Sequence, residues 1–577
     1  MSETGTGAGV GAIGGVSADG DPLANQIVAR DGMLEAEIST WRTEYQCIAD
    51  YQIPRKSQID ERSTPGIDDF TQNIYDSEAI HAAGVLSSGT LDVTMSGVFF
   101  QNQAPGFNAS PEADAWYRIT GEIMLDVMLG SNLYQVAHAC LHNRGIFGIG
   151  HMMIEEDDDR IIHCTGEDVG TFKIDVNNRG IVDTVYVTKE WSAKQWVDEF
   201  GIDKVAQPIK DNFEKANGSG KMQTFPYIYA IEPRPNSQRE VGRKDGKNKA
   251  FRAIHVDKRH KKVMREGGFD EFPAVVTRFL LWNLFEKYGY GPGFEAQPEV
   301  MQLNYFQKVK RVLAERQVNP PIMVPGDQEG MIDITPNGET YFDEQNPNGK
   351  AHPWMMEGRF DIAMEELADL KQSIQRTYFV PLFQMLTNSS EVRREKTAFE
   401  VSQMLAEQVK NFSPTFTLLK EDFLTPMLTR IFNICLRKGA FPPPPESVLR
   451  PTANGPTIPV PKVNHVSKVA MLIKSVENEN WVQFLQLAGM LGEMSPAAAQ
   501  AFERKFNMER SLTTMADNVG VPSEFRNTPE EEAENIAAQE AAAQQEAAAQ
   551  AAATAKDAGQ AVGALPPEMA KGLPAME

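Results

Sequence analysis

Cysteine is scarce in this chain and never clustered. Cys47, Cys140, Cys164 and Cys435 are the only four among 577 residues, and no two form a CxxC pair. That spacing excludes a disulfide framework and a thiolate zinc site, and it fits a reducing compartment. Long apolar runs are missing as well. No stretch reaches the roughly 18 apolar residues of a membrane span, and the opening MSETGTGAGVGAIGGVSADG lacks the basic region and apolar core of a secretory leader. The expectation is synthesis in the cytoplasm with no membrane insertion. Positive charge is in deficit, with 56 Lys and Arg against 79 Asp and Glu and a net charge of −23. A chain of that balance is not built to wrap nucleic acid, because phosphate contacts need clustered cations.

Catalytic signatures are equally thin. No G-x-x-x-x-G-K-[ST] occurs; GSGKM at 218–222 has Met after the Lys and reads as a flexible loop. GYGPG at 289–293 lacks the spacing of a dinucleotide fingerprint and reads as a hinge entering a helix. His138 and His142 stand four apart without an H-E-x-x-H motif, so they read as surface or core histidines. EEDDDR at 155–160, between two apolar runs, reads as a solvated hairpin tip rather than a hard-cation loop. There is no G-x-S-x-G. Hence no catalytic residue, metal or cofactor is expected, and the chain does not read as an enzyme.

What is present is a sizeable folding chain, 41% hydrophobic and 23% charged, long enough for three or four compact units. Residues 1–27 are Gly-rich and read as a disordered arm. The helical pattern starts at Asp31; Ile80, Gly84, Leu86 and Leu91 before SGVFF read as a buried helix running into an apolar loop, and 112–143 continue that character. From about 146 to 280 short β-rich runs appear: HMMIEE, RIIHC, TVYVT, YIYAIEP, RAIHV and AVVTRFLLW. The Lys/Arg-rich run from Arg239 to Lys262, DKRHKK included, reads as a hairpin with charged, exposed edges. The fold class is therefore α+β, mainly helical.

The most informative stretch follows. Val300, Leu303, Phe306, Val309 and Leu313 form one apolar stripe that ends at Asn319–Pro321, where proline stops the helix. Short strands with Pro-Gly and Asn-Gly turns come next. Phe360, Met364, Leu367, Leu370, Ile374 and Tyr378 then form a second stripe, interrupted at Pro381. Two helices thus flank a small β insert. TNSSEVRREK separates them from a third helix over about 396–437, with a kink expected at Pro414. From FPPPPE onward the chain reads as loop and then helix, and beyond Asn535 the Ala/Gln-rich text reads as a helical or disordered tail.

Several segments in serial order resemble the podovirus head-to-tail connecting, or portal, family: IYDSEAIHAAGVLSSGTL at 74–91, SNLYQVAHACLHNRGIFGIGHMMIEED at 131–157, YGYGPGFEAQPEVMQLN at 288–304, KVKRVLAERQVNPPIMVPGD at 308–327, KTAFEVSQMLAEQ at 396–408 and GVPSEFRNTPEEEAE at 520–534. The spaced Pro414, Glu421, Leu424 and Pro426 also match. The family's usual basic residue after the Tyr-Gly of its YGxGP segment is Tyr290 here, and 451–500 match loosely.

The resemblance implies a portal fold that forms rings: a wing over 28–293, stem helices at 294–318 and 357–385, a β-rich clip at 319–356 and a tunnel loop at 386–396. A long wing helix at 397–440, a helical crown at 441–534 and a tail at 535–577 complete the plan. It further implies a homo-dodecamer at one capsid vertex of the virion, assembled in the host cytoplasm, with double-stranded DNA passing non-specifically through a central channel. The implied partners are the major capsid and scaffolding proteins, the large subunit of the terminase during packaging, and tail adaptor or nozzle proteins. The DNA-facing residues would be Asn388, Ser389, Ser390, Arg393, Arg394 and Lys396 in the tunnel loop, with Lys308, Lys310 and Arg311 on the stem. Partner-binding clip residues would be Pro325, Asp327, Asn337, Gly338, Asn346, Asn348 and Trp354. The alternatives are a tail adaptor or tube ring protein, and a DNA-processing enzyme, which would require a phosphate loop or clustered metal-binding acids.

Overall fold

A computed structural model describes residues 21–53, 74–106, 110–215, 219–240, 243, 245–283, 285–318, 322–324, 352–353, 360–387, 410, 412–452 and 455–465. All of them belong to one compact unit of the chain, Met1–Ile473.

The first helix, α1, runs Pro22–Gln52. Asp21 caps it by accepting from the Leu23 N–H at 3.0 Å, and Pro22 supplies a first position that needs no donor. The helix therefore begins inside the expected arm of residues 1–27, and Ala24 and Ile27 are fully buried. A cap and a proline, both invisible to a count of large apolar groups, set that start. Next come α2 (Glu78–Met95), strand β1 (Phe100–Gln103), α3 (Pro111–Leu129) and α4 (Leu133–Phe147). Gly148, left-handed at φ +75°, ends α4 and turns the chain into β2 (Ile149–Asp157).

Strand β2 is central in a three-stranded antiparallel sheet, between β3 (Ile161–Gly166) and β9 (Ala274–Arg278). The second sheet has five antiparallel strands in sequence order: β4 (Phe172–Val176), β5 (Val182–Ser192), β6 (Thr224–Pro233), β7 (Phe251–Asp257) and β8 (Lys262–Phe269). Alternation along β6 divides its two faces. Ile228 and Ala230 pack against Ala24, Ile27 and Leu34 of α1. Phe225 and Tyr227 pack instead with Trp196, Phe200 and Ile209 from α5 (Ala193–Phe200) and α6 (Gln207–Glu214). Of the charged run from Arg239 to Lys262 only DKRHKK falls on the turn of the β7–β8 hairpin, closed by Asp257 accepting from the N–H groups of Arg259 and His260 at 3.0 Å each, whereas its first part belongs to the connection between β6 and β7.

The remaining elements are α7 (Pro292–Val318), the two-residue strands β10 (Ile322–Met323) and β11 (His352–Pro353), α8 (Phe360–Thr377) and α9 (Val380–Thr387). A last helical stretch at 412–419 continues through a π-helical turn, Lys420–Leu424, into α10 (Thr425–Arg437). The irregularity recorded in this helix is thus the π turn, six residues past Pro414. Pro426, two residues past the turn, has no N–H to give to it.

Residues 441–465, read from sequence as loop and assigned to a crown, form strands β12 (Arg450–Thr452), β13 (Gly455–Thr457) and β14 (Lys462–His465). Strand β14 pairs antiparallel with β1, and α3 clasps the same segment: Trp116 donates to Pro442 O at 3.1 Å and Tyr117 to Pro459 O at 2.8 Å. This segment belongs to the α+β body, because its carbonyls are bound to α3. One large core joins α1 to α4, the three-stranded sheet, α7 to α10 and Val448.

Candidate subunit interface and channel elements

Helix α7 is seated by backbone that only glycine allows. A Cβ added at Gly291 would lie 2.6 Å from Gly148 N, one at Gly289 2.4 Å from Gly148 O, and one at Gly293 2.0 Å from Ile146 O. The chain entering α7 therefore lies directly on the α4–β2 turn, and Phe279 N donates to Gly148 O at 2.9 Å across the same seam. GYGPG is a packing seam and not a hinge.

From that seat α7 runs outward beside α8. Its inner half is buried, with Ala296, Val300 and Leu303 at 0–1% exposure, and Leu367, Leu370, Ile374 and Tyr378 of α8 are buried too. Ser373 donates to Glu299 at 2.6 Å between the two helices, and Tyr378 donates to Gln52 of α1 at 2.6 Å. Further out, Asn304 accepts from the N–H groups of Tyr75 and Asp76 at 2.7 and 3.0 Å. Asp76 in turn accepts from Gln307 and pairs with Lys371, both at 2.8 Å. Burial opposes ionisation of the Asp76 carboxyl, but the bonds from Lys371, the Glu78 N–H and Gln307 outweigh it and hold the group below the ordinary carboxylate range. The apolar stripe changes character along the helix. Phe306 is half-buried, whereas Val309 is 41% exposed. At the far end β10 and β11 pair antiparallel, Ile322 with Pro353 and Met323 with His352, which closes the base of the 324–351 insert.

Behind the seam lies a cluster of buried arginines that sequence reasoning missed. Arg278, at the end of β9, makes a two-point ion pair with Asp422 of the π turn at 2.8 and 3.1 Å. It also donates to the carbonyls of Gly180 and Glu286 at 3.0 Å each. Arg144 is fully buried, donates to Arg278 O and Thr415 O, and lies 4.6 Å from the Phe279 ring centroid. Burial pulls its guanidinium down to about 9 despite the nearby Asp422 charge. Arg430 of α10 donates to Ile154 O and pairs with Glu271. These contacts lock the last helix onto the central sheet. Arg144 and Arg430 stand on helices whose mixed text gives no sign of which cations face inward.

The acidic tip at 155–160 is the β2–β3 hairpin, and its carboxylates face cations at the end of α10 and just past it: Arg437 with Glu156 at 2.7 Å and Lys438 with Asp158 at 2.5 Å. His138 and His142 meet the hydroxyls of Ser88 and Ser87 on α2 at 3.3 Å each. The four cysteines are free. Among the described residues no group of His, Cys, Asp or Glu could hold a metal ion, and no helix is long and apolar enough to cross a membrane.

The family model described as bacteriophage head to tail connecting protein matches residues 24–526. The chain belongs to that family. Two relatives are named as portal proteins. The portal protein of Salmonella phage epsilon15 is 28% identical over 525 residues, which is 88% of this chain and 89% of that one. The probable portal protein of Bordetella phage BPP-1 is 25% identical over 508 residues, 86% of this chain and 88% of that one.

For a head-to-tail connecting protein the expected working residues fall into two groups. Lys308, Lys310 and Arg311 all lie on α7, where Arg311 donates to Tyr75 O at 2.9 Å and holds its guanidinium 5.4 Å from the Tyr75 ring. Lys308 lies 5.8 Å from that ring, near the outer limit of such a contact. The structure brings these two to the 74–78 segment of the connector, an engagement the helical stripe alone does not reveal. Asn388, Ser389, Ser390, Arg393, Arg394 and Lys396 lie outside the described residues, as do Pro325, Asp327, Asn337, Gly338, Asn346, Asn348 and Trp354.

Proposed function

We propose that this connector-family chain is the portal subunit of a short-tailed phage, closing with further copies into a dodecameric ring around a DNA channel at one capsid vertex. A separate terminase docked on the clip drives DNA inward; the ring keeps the vertex open, retains the genome, and later exchanges the terminase for tail adaptors. The family match across residues 24–526 carries the reading. In this plan α7 and α8 are the stem, 319–356 the clip and 386–396 the tunnel loop. The crown lies beyond His465, because 441–465 serve the body. The ring is a scaffold rather than an enzyme, and it belongs to the virion.

An α7–α8 pair with buried inner ends and apolar outer residues supports the plan, since a subunit that presents different faces to its two neighbours closes a heterologous ring. DNA contacts in an acidic chain are sparse and read no sequence. We assign them to Arg393, Arg394, Lys396 and Lys310; Arg311, which donates to Tyr75 O, we assign to the subunit's own architecture, and the exposed Lys308 to the face that α7 presents to a neighbouring copy. The test is packaging. Heads assembled in infected cells with this chain fill with DNA, and heads assembled without it stay empty; DNA-filled heads of normal yield in its absence would contradict the reading.

A further inference from the structure

Four apolar side chains line the outer side of α7. Met301, Tyr305, Val309 and Val312 are 38, 64, 41 and 40% exposed, while Val300 and Leu303 on the inner side are 1% exposed. Spacings of four, four and three place them on one stripe of the helix. Eleven residues at 1.5 Å each make that stripe about 16 Å long. A continuous apolar strip that includes a largely exposed tyrosine marks a contact surface, unlike scattered single residues.

The outer side of α8 has a complementary composition. Met364 is 50% exposed, Ala368 is exposed four residues on, and the exposed carboxylates of Glu365 and Asp369 flank them. The cation at the rim of the α7 stripe is Lys308, also exposed. Their heights agree. The Ser373–Glu299 hydrogen bond fixes the register of the two helices. Nine residues along α7 lead from Glu299 to Lys308, and eight back along α8 lead from Ser373 to Glu365; both steps are about 12–14 Å at 1.5 Å per residue. Lys308 and Glu365 therefore stand at the same height along the helix pair, and a neighbour related by rotation about an axis running along that pair would bring the two level.

We propose that the Met301–Val312 stripe of α7 packs against the Met364/Ala368 face of α8 in the adjacent copy of this chain, with Lys308 facing Glu365 and Asp369 across the seam. The proposal rests on the portal reading and adds to it which faces meet. The apolar stripe supplies the contact area. The charge pair excludes the symmetric pairings, because α7 against α7 would oppose cations and α8 against α8 would oppose carboxylates.

The experiment uses the full-length chain and charge-reversed variants in native mass spectrometry. Lys308→Glu alone and the double variant Glu365→Lys, Asp369→Lys alone each lose most of the closed-ring signal at low salt, with unchanged melting of the monomer. Mixed in equal amounts they regain rings in which the two species alternate, because each altered face then meets its complement. Tyr305→Ala weakens ring closure without any change of charge. Wild-type rings with both charge variants closing equally well, or a mixture that stays open, would overturn this interface while leaving the portal reading intact. A wild-type chain that never closes would overturn that reading and the interface with it.

Discussion

At Gly291 an alanine methyl would sit 2.6 Å from Gly148 N and 2.7 Å from Gly148 Cα, against backbone that has nowhere to move. Gly291→Ala is therefore expected to destabilise the protein by about 1–3 kcal/mol, the usual cost of overpacking. Gly32, exposed in the middle of α1 with nothing within 4 Å of an added Cβ, supplies the control. Gly32→Ala should stabilise by about 0.5–1 kcal/mol. Thermal melting of the two variants decides the matter, and equal shifts would refute the seam. The histidines give a second residue-scale prediction. His151 is fully buried against Phe172, and among the described residues neither ring nitrogen has a hydrogen-bond partner. Burial, helped by the Lys189 charge, pushes it down to about 3, and burial with Arg265 does the same to His255. Both are neutral in the fold and would take up protons near 6.5 when unfolded. Their contribution is present above pH 6.5 and is lost as pH falls towards 3, by about 1.4 kcal/mol per pH unit for each ring. His151→Leu removes the unpaired nitrogens, so it should raise the melting temperature at pH 7 and flatten its fall between pH 6 and 4. An unchanged acid slope would contradict this account of His151.

The elements differ in how openly the sequence announces them. The apolar stripes of α7 and α8 and the runs of β2, β5, β6, β7 and β9 are legible because period and β-branched content agree. Strands β4 and β8 escape notice: FKIDV and KVMREGGF place charges inside the run, and those charges are satisfied by partners far along the chain. Lys173 in β4 is fully buried and meets Asp31 of α1 at 2.5 Å. The π turn is invisible to periodicity, because one extra residue in a turn shifts every later side chain without altering composition. Its role is testable through Asp422, the carboxylate it presents to Arg278. Asp422→Asn leaves a buried guanidinium without its counter-charge and is expected to cost about 3–5 kcal/mol. Asp422→Leu combined with Arg278→Met should cost less than that single change, since no lone charge is then left buried. A single-variant loss below about 1 kcal/mol, the range of exposed ion pairs, would show that the pair does not lock this helix to the sheet.

On the scale of the whole molecule, the family was legible from the serial order of short motifs from residue 74 onward, and the family-model match over residues 24–526 bears the family out. The tunnel-loop and clip residues lie outside the described segments, and their roles stand as proposals. Changing Arg393, Arg394, Lys396 and Lys310 together to Gln is expected to reduce packaging or genome retention most at low salt, with the difference from the unaltered chain shrinking as salt rises, because non-specific phosphate contacts weaken with ionic strength. DNA-filled heads in normal yield would remove these residues from the channel. The central claim is ring closure, and the mass and rotational symmetry of the purified full-length chain, read by native mass spectrometry and negative-stain microscopy, test it most directly. The account predicts a closed dodecamer with an open central channel; a chain that stays monomeric at the highest concentration reached would contradict it.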